Sequence, residues 1–301
     1  MIINRSFKEF KFRHRSKQNQ IIFTSKKVKN DEEVINLIDN FLTEKNSFIF
    51  ESVEKGKIKG RYTIFGKNPD KIWEFNNNNS YLIQNGKKIV LKEKKEKLIE
   101  KIIEEFKFDT PKKLPKICSL ISGYFSYDAI RYIEKIPNKC KNDLNLPDVR
   151  LLRPRILVIY DNLKKEIFYI INIFNYEKIN NYQKKFDEIK NENFELLIQS
   201  SVKSFDKKII KKPGNVKVKS NTPKNKFISM VNKAKKYIKI GDIFQVVLSQ
   251  RFEAKLTKSP LDIYKKLRIT NPSPFMFFFN FNDFQIIGAS PEILVRLRDN
   301  K

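Results

Sequence analysis

Few residues in this chain have the types and spacing to do chemistry. Asn271–Phe279, NPSPFMFFF, sets two prolines around a serine and runs at once into aromatic side chains. Proline fixes the backbone. Phe275 and Met276, following Pro274, pair a ring with a soft thioether, a combination suited to a flat π-system. The same residues suit a buried strand with a rigid entry, because each large side chain contributes about 1.5–3 kcal/mol by burial. The stretch therefore reads either as a core strand or as one wall of a pocket. Glu51 and Ser52 close the apolar run SFIFESV (47–53), and polar residues at a strand end are commonly just solvated. Gln245 and Glu292 stand in the runs GDIFQVVLSQRF (241–252) and GASPEILVRL (288–297). A glutamine in a strand is more often a structural hydrogen-bonder than a ligand.

The chain has one histidine, His14, in its basic N-terminal tail. Histidine-based acid–base chemistry, catalytic triads and histidine metal ligands are therefore not expected from the rest of the chain. Cys118, in KICSLISGYF, reads as a small buried hydrophobe, and Cys140 sits in the polar loop PNKCKND. Their spacing suggests neither a metal site nor a disulfide framework, which fits a reducing, cytoplasmic setting.

The 301 residues allow one large domain or two ordinary ones, and 40% hydrophobic with 13% aromatic content is enough for a substantial core. The net charge of +28, from 62 basic and 34 acidic residues, invites a nucleic-acid reading. The excess is mostly lysine spread along the chain, whereas base readout and bidentate phosphate contacts favour arginine. No nucleic-acid partner is expected. The longest apolar candidate, 167–174, has strand length rather than the roughly 20 residues of a membrane span, so no membrane association is expected either.

Periodicity predicts helices over 31–44, 94–106, 177–198 and 222–240, the last with Thr222 as N-cap, Pro223 at its first position and Gly241 as its stop. Ser259 and Pro260 open another helix that ends into NPSP, since residues before proline avoid helical backbone. Strands are expected at 21–24, 47–53, 60–66, 71–75, 155–160, 166–174, 243–254 and 292–297. Hairpins are expected at 80–93, where Asn-Gly favours a tight turn, and at 275–288. The expected organisation is a tail (1–20), a first region (21–198), a linker (199–221) and the start of a second domain (222–301). The last expected strand runs into Asp299–Asn300 as though a hairpin partner should follow, which marks the chain as the front of something longer.

Five blocks in order, FESVEKGKIKGRYTIFG (50–66), SGYFSYDAIRYIEKIP (122–137), GDIFQVVLSQRF, NPSPFMFFF and GASPEILVRL, resemble the large subunit of anthranilate synthase, in the chorismate-utilising enzyme superfamily. QVVLSQRF and NPSPFMFF fit that family better than its aminodeoxychorismate and isochorismate synthase relatives. The resemblance implies an α+β fold with two large, mainly antiparallel sheets packed face to face and helices outside, incomplete here at the C-terminus. It implies a Mg2+-dependent lyase making anthranilate from chorismate, with ammonia from a glutamine amidotransferase subunit and feedback inhibition by L-tryptophan. By the same resemblance Glu51, Ser52, Pro274, Phe275 and Met276 bind tryptophan, a carboxylate suiting its ammonium and a hydroxyl its carboxylate. Gln245 lies near the active site and Glu292 on the chorismate side. Arg61 and Arg131 read as structural ion-pairing residues. The family's acid–base histidine and metal-binding glutamates lie beyond the position of Lys301, so no metal ligand is expected within this chain, and 1–301 alone is expected to be inactive. A regulatory tryptophan-binding fragment without catalysis is the rival reading, and the related aminodeoxychorismate synthase component I is the other alternative.

Overall fold

The computed structural model describes residues 3–29, 31–54, 57–76, 78–106, 108–139, 141–199 and 216–297. The chain divides into two compact units, Met1–Phe205 with Pro260–Lys301, and Asp206–Ser259. The stretch from 222 onward, expected as the start of one domain, is thus shared between the two. Most of the expected linker, residues 200–215, lies outside the described residues, as does Cys140.

The first unit begins with helix α1 (Phe7–Arg15), where a plain tail was expected. Ser6 caps it by accepting from the Glu9 amide at 3.3 Å, and Phe10 and His14 are buried on one face. There follow β1 (Gln20–Lys27), α2 (Glu32–Phe41), β2 (Ser47–Glu51), β3 (Val53–Glu54), β4 (Lys57–Ile58), β5 (Tyr62–Phe75), β6 (Ser80–Gln84), β7 (Lys87–Leu91), α3 (Lys95–Glu104), β8 (Ser122–Phe125), β9 (Val149–Asp161), β10 (Glu166–Ile173) and α4 (Tyr182–Gln199). The second unit holds β11 (Val218–Ser220), α5 (Lys224–Lys239) and β12 (Phe252–Ala254). The chain then re-enters the first unit as α6 (Pro260–Thr270), β13 (Phe275–Asn280) and β14 (Gln285–Ser290).

One ten-stranded sheet organises the first unit, in the order β1-β10-β9-β5-β2-β13-β14, with β6 and β7 extending from β5 and β8 pairing β9. Every pairing is antiparallel. The expected α+β, mainly antiparallel architecture is present. Where two large sheets were expected, the described residues hold this large sheet and two pairs, β11-β12 and β3-β4.

Alternate residues feed alternate faces, and both faces are apolar. Ile156, Val158, Tyr160, Ile167, Tyr169, Met276 and Phe278 pack with Val34, Leu37, Ile38 and Phe41 of α2 and Tyr264 of α6. Leu157, Ile159, Phe168, Ile170 and Phe279 pack on the other face with Leu114 and Cys118. A sheet covered on both sides needs continuous apolar runs rather than alternation, which is why IFYIINIF reads as strand at full hydrophobicity. The 60–66 and 71–75 strands are one, β5, bent at a register shift between Pro69 and Lys71, with Asn68 at φ 50°. The Asn85-Gly86 turn has positive φ at both residues, 51° and 73°, as a hairpin turn of this kind requires.

One expected strand, 243–254, forms only at its end, and another, 292–297, is absent. Residues 243–251 are irregular and only Phe252–Ala254 pairs, while 292–297 form no strand. Phe244 is 100% exposed and Leu294 99%. Their β-favouring composition meets no partner among the described residues, and a strand's backbone groups need a ladder. Thr222 does not cap α5: its hydroxyl donates to Asn221 Oδ1 at 3.0 Å, and Pro223 takes the cap position. Gly241, at φ 84°, does stop that helix. Among the described residues no helix is long and apolar enough to cross a membrane.

Candidate functional site

Three of the sequence blocks meet at one end of the large sheet. β2 and β13 pair with Met276 opposite Glu51, and β13 and β14 pair with Phe275 opposite Ser290. FES (50–52), more than two hundred residues away in the chain, thus becomes a neighbour of NPSPFM and GASPE. The hairpin β13–β14 is close-packed: a Cβ at Gly288 would fall 2.0 Å from the Phe277 ring. Phe278 and Phe279 are core, as expected of this strand.

The loop before β13 is fixed by hydrogen bonds. The Asn271 amide donates to Leu267 O at 2.8 Å and so continues from the end of α6. The Ser273 hydroxyl donates to Ser290 O and accepts from the Phe275 amide at 3.2 Å. The Val53 amide donates to Ser273 O at 3.0 Å. The prolines supply the stiffness and Ser273, itself buried, supplies the anchor.

The candidate binding residues divide between buried and more open positions. Glu51 shares a face with Ile49 and Val53, and Met276, 1% exposed, lies in the same core cluster. Phe275 is 38% exposed and Pro274 is exposed. The β2–β13 pairing ends at Glu51–Met276, and Ser52, half-buried, follows it between β2 and β3. Ser52 is held by its own carbonyl, which accepts from the Lys59 amide at 2.9 Å and the Gly60 amide at 3.4 Å. Gly60 lies directly over it, since a Cβ there would come 2.6 Å from Ser52 Cβ. No hydrogen bond among the described residues engages the Ser52 hydroxyl.

Glu51 turns inward to α6. Arg268 Nε donates to Glu51 Oε1 at 2.8 Å, and the Tyr264 hydroxyl donates to the same oxygen. The side chains of Glu51 and Arg268 are 1% and 8% exposed. Burial, and then the neighbouring Glu51 carboxylate, push the Tyr264 phenol well above its ordinary pKa, so it stays a donor. Tyr264 and Arg268 are the two buried residues of α6. Sequence reasoning passed over both, although the signal was present: Leu261, Tyr264 and Leu267 give α6 an apolar face, and Arg268, four residues after Tyr264, adjoins it. An arginine placed there requires a buried acid.

Glu292 is exposed, and its carbonyl accepts from the Ser290 hydroxyl at 3.0 Å. Gln245 is exposed in the irregular stretch of the second unit, not in a strand. Arg61 pairs with Asp161 at 3.2 Å and Arg131 with Asp128 at 2.7 Å, as structural residues do. His14 belongs to the packed α1, its Nδ1 3.0 Å from the Tyr182 hydroxyl. Among the described residues no three His, Cys, Asp or Glu side chains are grouped to hold a metal ion.

A family model described as chorismate binding enzyme matches residues 45–301. The chain belongs to the chorismate binding enzyme family. Within it, the chain is 37% identical over 275 residues to anthranilate synthase component 1 of Acetivibrio thermocellus, covering 89% of this chain and 55% of that protein. It is 33% identical over 308 residues to the same component of Cereibacter sphaeroides, covering 98% and 60%. The crystal structure of anthranilate synthase component I from Streptococcus pneumoniae TIGR4 matches with a TM-score of 0.64 at 29% identity, over 81% of this chain and 53% of that one. The fold is thus that of component I, and the chain spans little more than half the length of these family members.

Proposed function

We propose that this chorismate binding family chain is the regulatory and substrate-domain portion of an anthranilate synthase large subunit acting in the cytoplasm. The reaction is chorismate plus ammonia to anthranilate, pyruvate and water. A glutamine amidotransferase subunit supplies the ammonia, and L-tryptophan inhibits. The observation that supports the reading is the junction of FES with NPSPFM across β2 and β13 in one compact unit, where the two runs proposed to bind an amino acid become neighbours. On that reading Ser52, Pro274 and Phe275 present the open side, with Glu51 and Met276 behind them. The Ser52 hydroxyl donates to the ligand carboxylate, and the Phe275 ring packs on the indole. Mg2+ is the proposed cofactor, and it takes carboxylate oxygens. The described residues gather no carboxylate set that fits it, so no step is derived through the ion. Gln245 and Glu292 remain candidates for the substrate side.

The rival reading, a tryptophan-binding module without catalysis, draws on the same junction. Anthranilate fluorescence with chorismate, ammonium and magnesium separates the two. Production is expected when 1–301 is fused to the C-terminal portion of the Acetivibrio thermocellus relative, with inhibition by tryptophan, and not from 1–301 alone. No product from the folded fusion would refute the synthase reading, and turnover by 1–301 alone would refute the idle-fragment expectation.

A further inference from the structure

We infer that Glu51 is a positioning residue, which acts on the amino-acid pocket through Arg268 and Tyr264 rather than by taking the ligand's ammonium itself. The inference rests on the tryptophan reading of that pocket and revises the role of one member.

Three observations carry it. First, Glu51 Oε1 already accepts from both α6 donors, and the side chain is 1% exposed, on the same face of β2 as the core residue Ile49. A ligand ammonium reaching this carboxylate would have to enter a closed core and stand beside the Arg268 guanidinium, a like charge. Second, the two residues flanking Ser52 are each tied to the same helix and loop. Glu51 is tied through its side chain to Arg268, and Val53 through its amide to Ser273. α6 runs straight into the 271–274 loop, with Asn271 bonded back to Leu267. Third, the β2–β13 pairing and this helix–loop hold the strand ends that carry Ser52 and Phe275, alongside the Lys59 and Gly60 amides on the Ser52 carbonyl. Losing the Glu51–Arg268 tie lets α6 and the loop shift together, and the pocket changes width. Tyr264, on the same oxygen, fixes the rotamer of the carboxylate so that the guanidinium finds it in place.

Ligand choice separates a positioning effect from a direct contact. Tryptophan and indole-3-propionate differ in the ammonium. In calorimetric titrations of the full chain, Glu51→Gln is expected to weaken both ligands by the same factor, roughly tenfold, as for residues that act along a packed coupling route. Arg268→Gln is expected to do the same. Combining the two, which replaces the ion pair with a neutral amide pair, is expected to recover most of the loss for both. If Glu51→Gln weakens tryptophan and leaves indole-3-propionate unchanged, Glu51 is an ammonium ligand and the inference is overturned. If Glu51→Gln does not fold, Tyr264→Phe gives the same comparison, with an equal loss for both ligands expected and no loss for either overturning it. If the wild-type chain binds no tryptophan, the pocket reading fails first, an outcome distinct from an unequal ligand response.

Discussion

Replacing Arg268 with methionine tests how firmly α6 is tied to the sheet. Methionine keeps most of the side-chain volume and removes the charge, leaving Glu51, 1% exposed, with only the Tyr264 hydroxyl. For a pair this shut off from water, losing one partner costs about 3–5 kcal/mol, because the remaining charge stays buried without compensation. The retained Tyr264 bond places the expected loss at the lower end, about 3 kcal/mol. An exposed ion pair would cost about 0–1 kcal/mol. Urea unfolding reads the difference: with a slope of about 2 kcal/mol per molar, the midpoint falls by about 1.5 M with the slope unchanged. Adding Glu51→Gln removes the stranded charge and should return much of that loss. A drop below about 1 kcal/mol for Arg268→Met would refute the buried tie, and with it the reasoning that α6 sets the loop.

Other consequences follow from the same geometry. Gly60→Ala sets a Cβ 2.6 Å from Ser52 Cβ, so tryptophan affinity measured by calorimetry should fall while the circular dichroism spectrum is retained; unchanged affinity would count against the Ser52 site. Burial pushes the Cys118 thiol up to about 11, and peptide mapping after iodoacetamide treatment at neutral pH should find Cys118 unmodified until the chain is unfolded. Burial likewise pushes Tyr124 up to about 12, while its hydroxyl donates to Pro147 O at 2.7 Å. The folded chain then keeps a proton that the unfolded chain releases near the ordinary tyrosine pKa of about 10. Stability from this group is complete below that pH and is lost as pH rises toward the folded value. Tyr124→Phe should flatten that alkaline decline in thermal melts, and an identical decline would refute it.

Much of the fold is legible in local chemistry. The helix over 31–44, the Asn-Gly hairpin and the Gly241 stop each depend on a few adjacent residues, and each forms close to where periodicity sets it. The misses have a common cause in partners that a linear reading does not see. α1 is hidden by its lysines and arginines, although the Ser6–Glu9 spacing is a capping signal and Phe10 and His14 share a face. Residues 243–251 and 292–297 have strand composition but no ladder among the described residues. At the candidate site, the sequence points to both halves of the junction, FES and NPSPFM, but not to the face each side chain takes. Burial divides Glu51 and Met276 from the half-buried Ser52 and exposed Phe275, and the burial of Glu51 depends on α6, which no strand motif reports.

The most direct test of the account is a calorimetric titration of L-tryptophan into the full chain, wild type against Ser52→Ala. The pocket at the β2–β13 junction predicts one saturable site in the wild type. It also predicts affinity reduced by roughly tenfold or more in the variant, as expected on losing a hydrogen bond to a charged carboxylate. Equal affinity in both proteins, or no binding to the folded wild type, would contradict it.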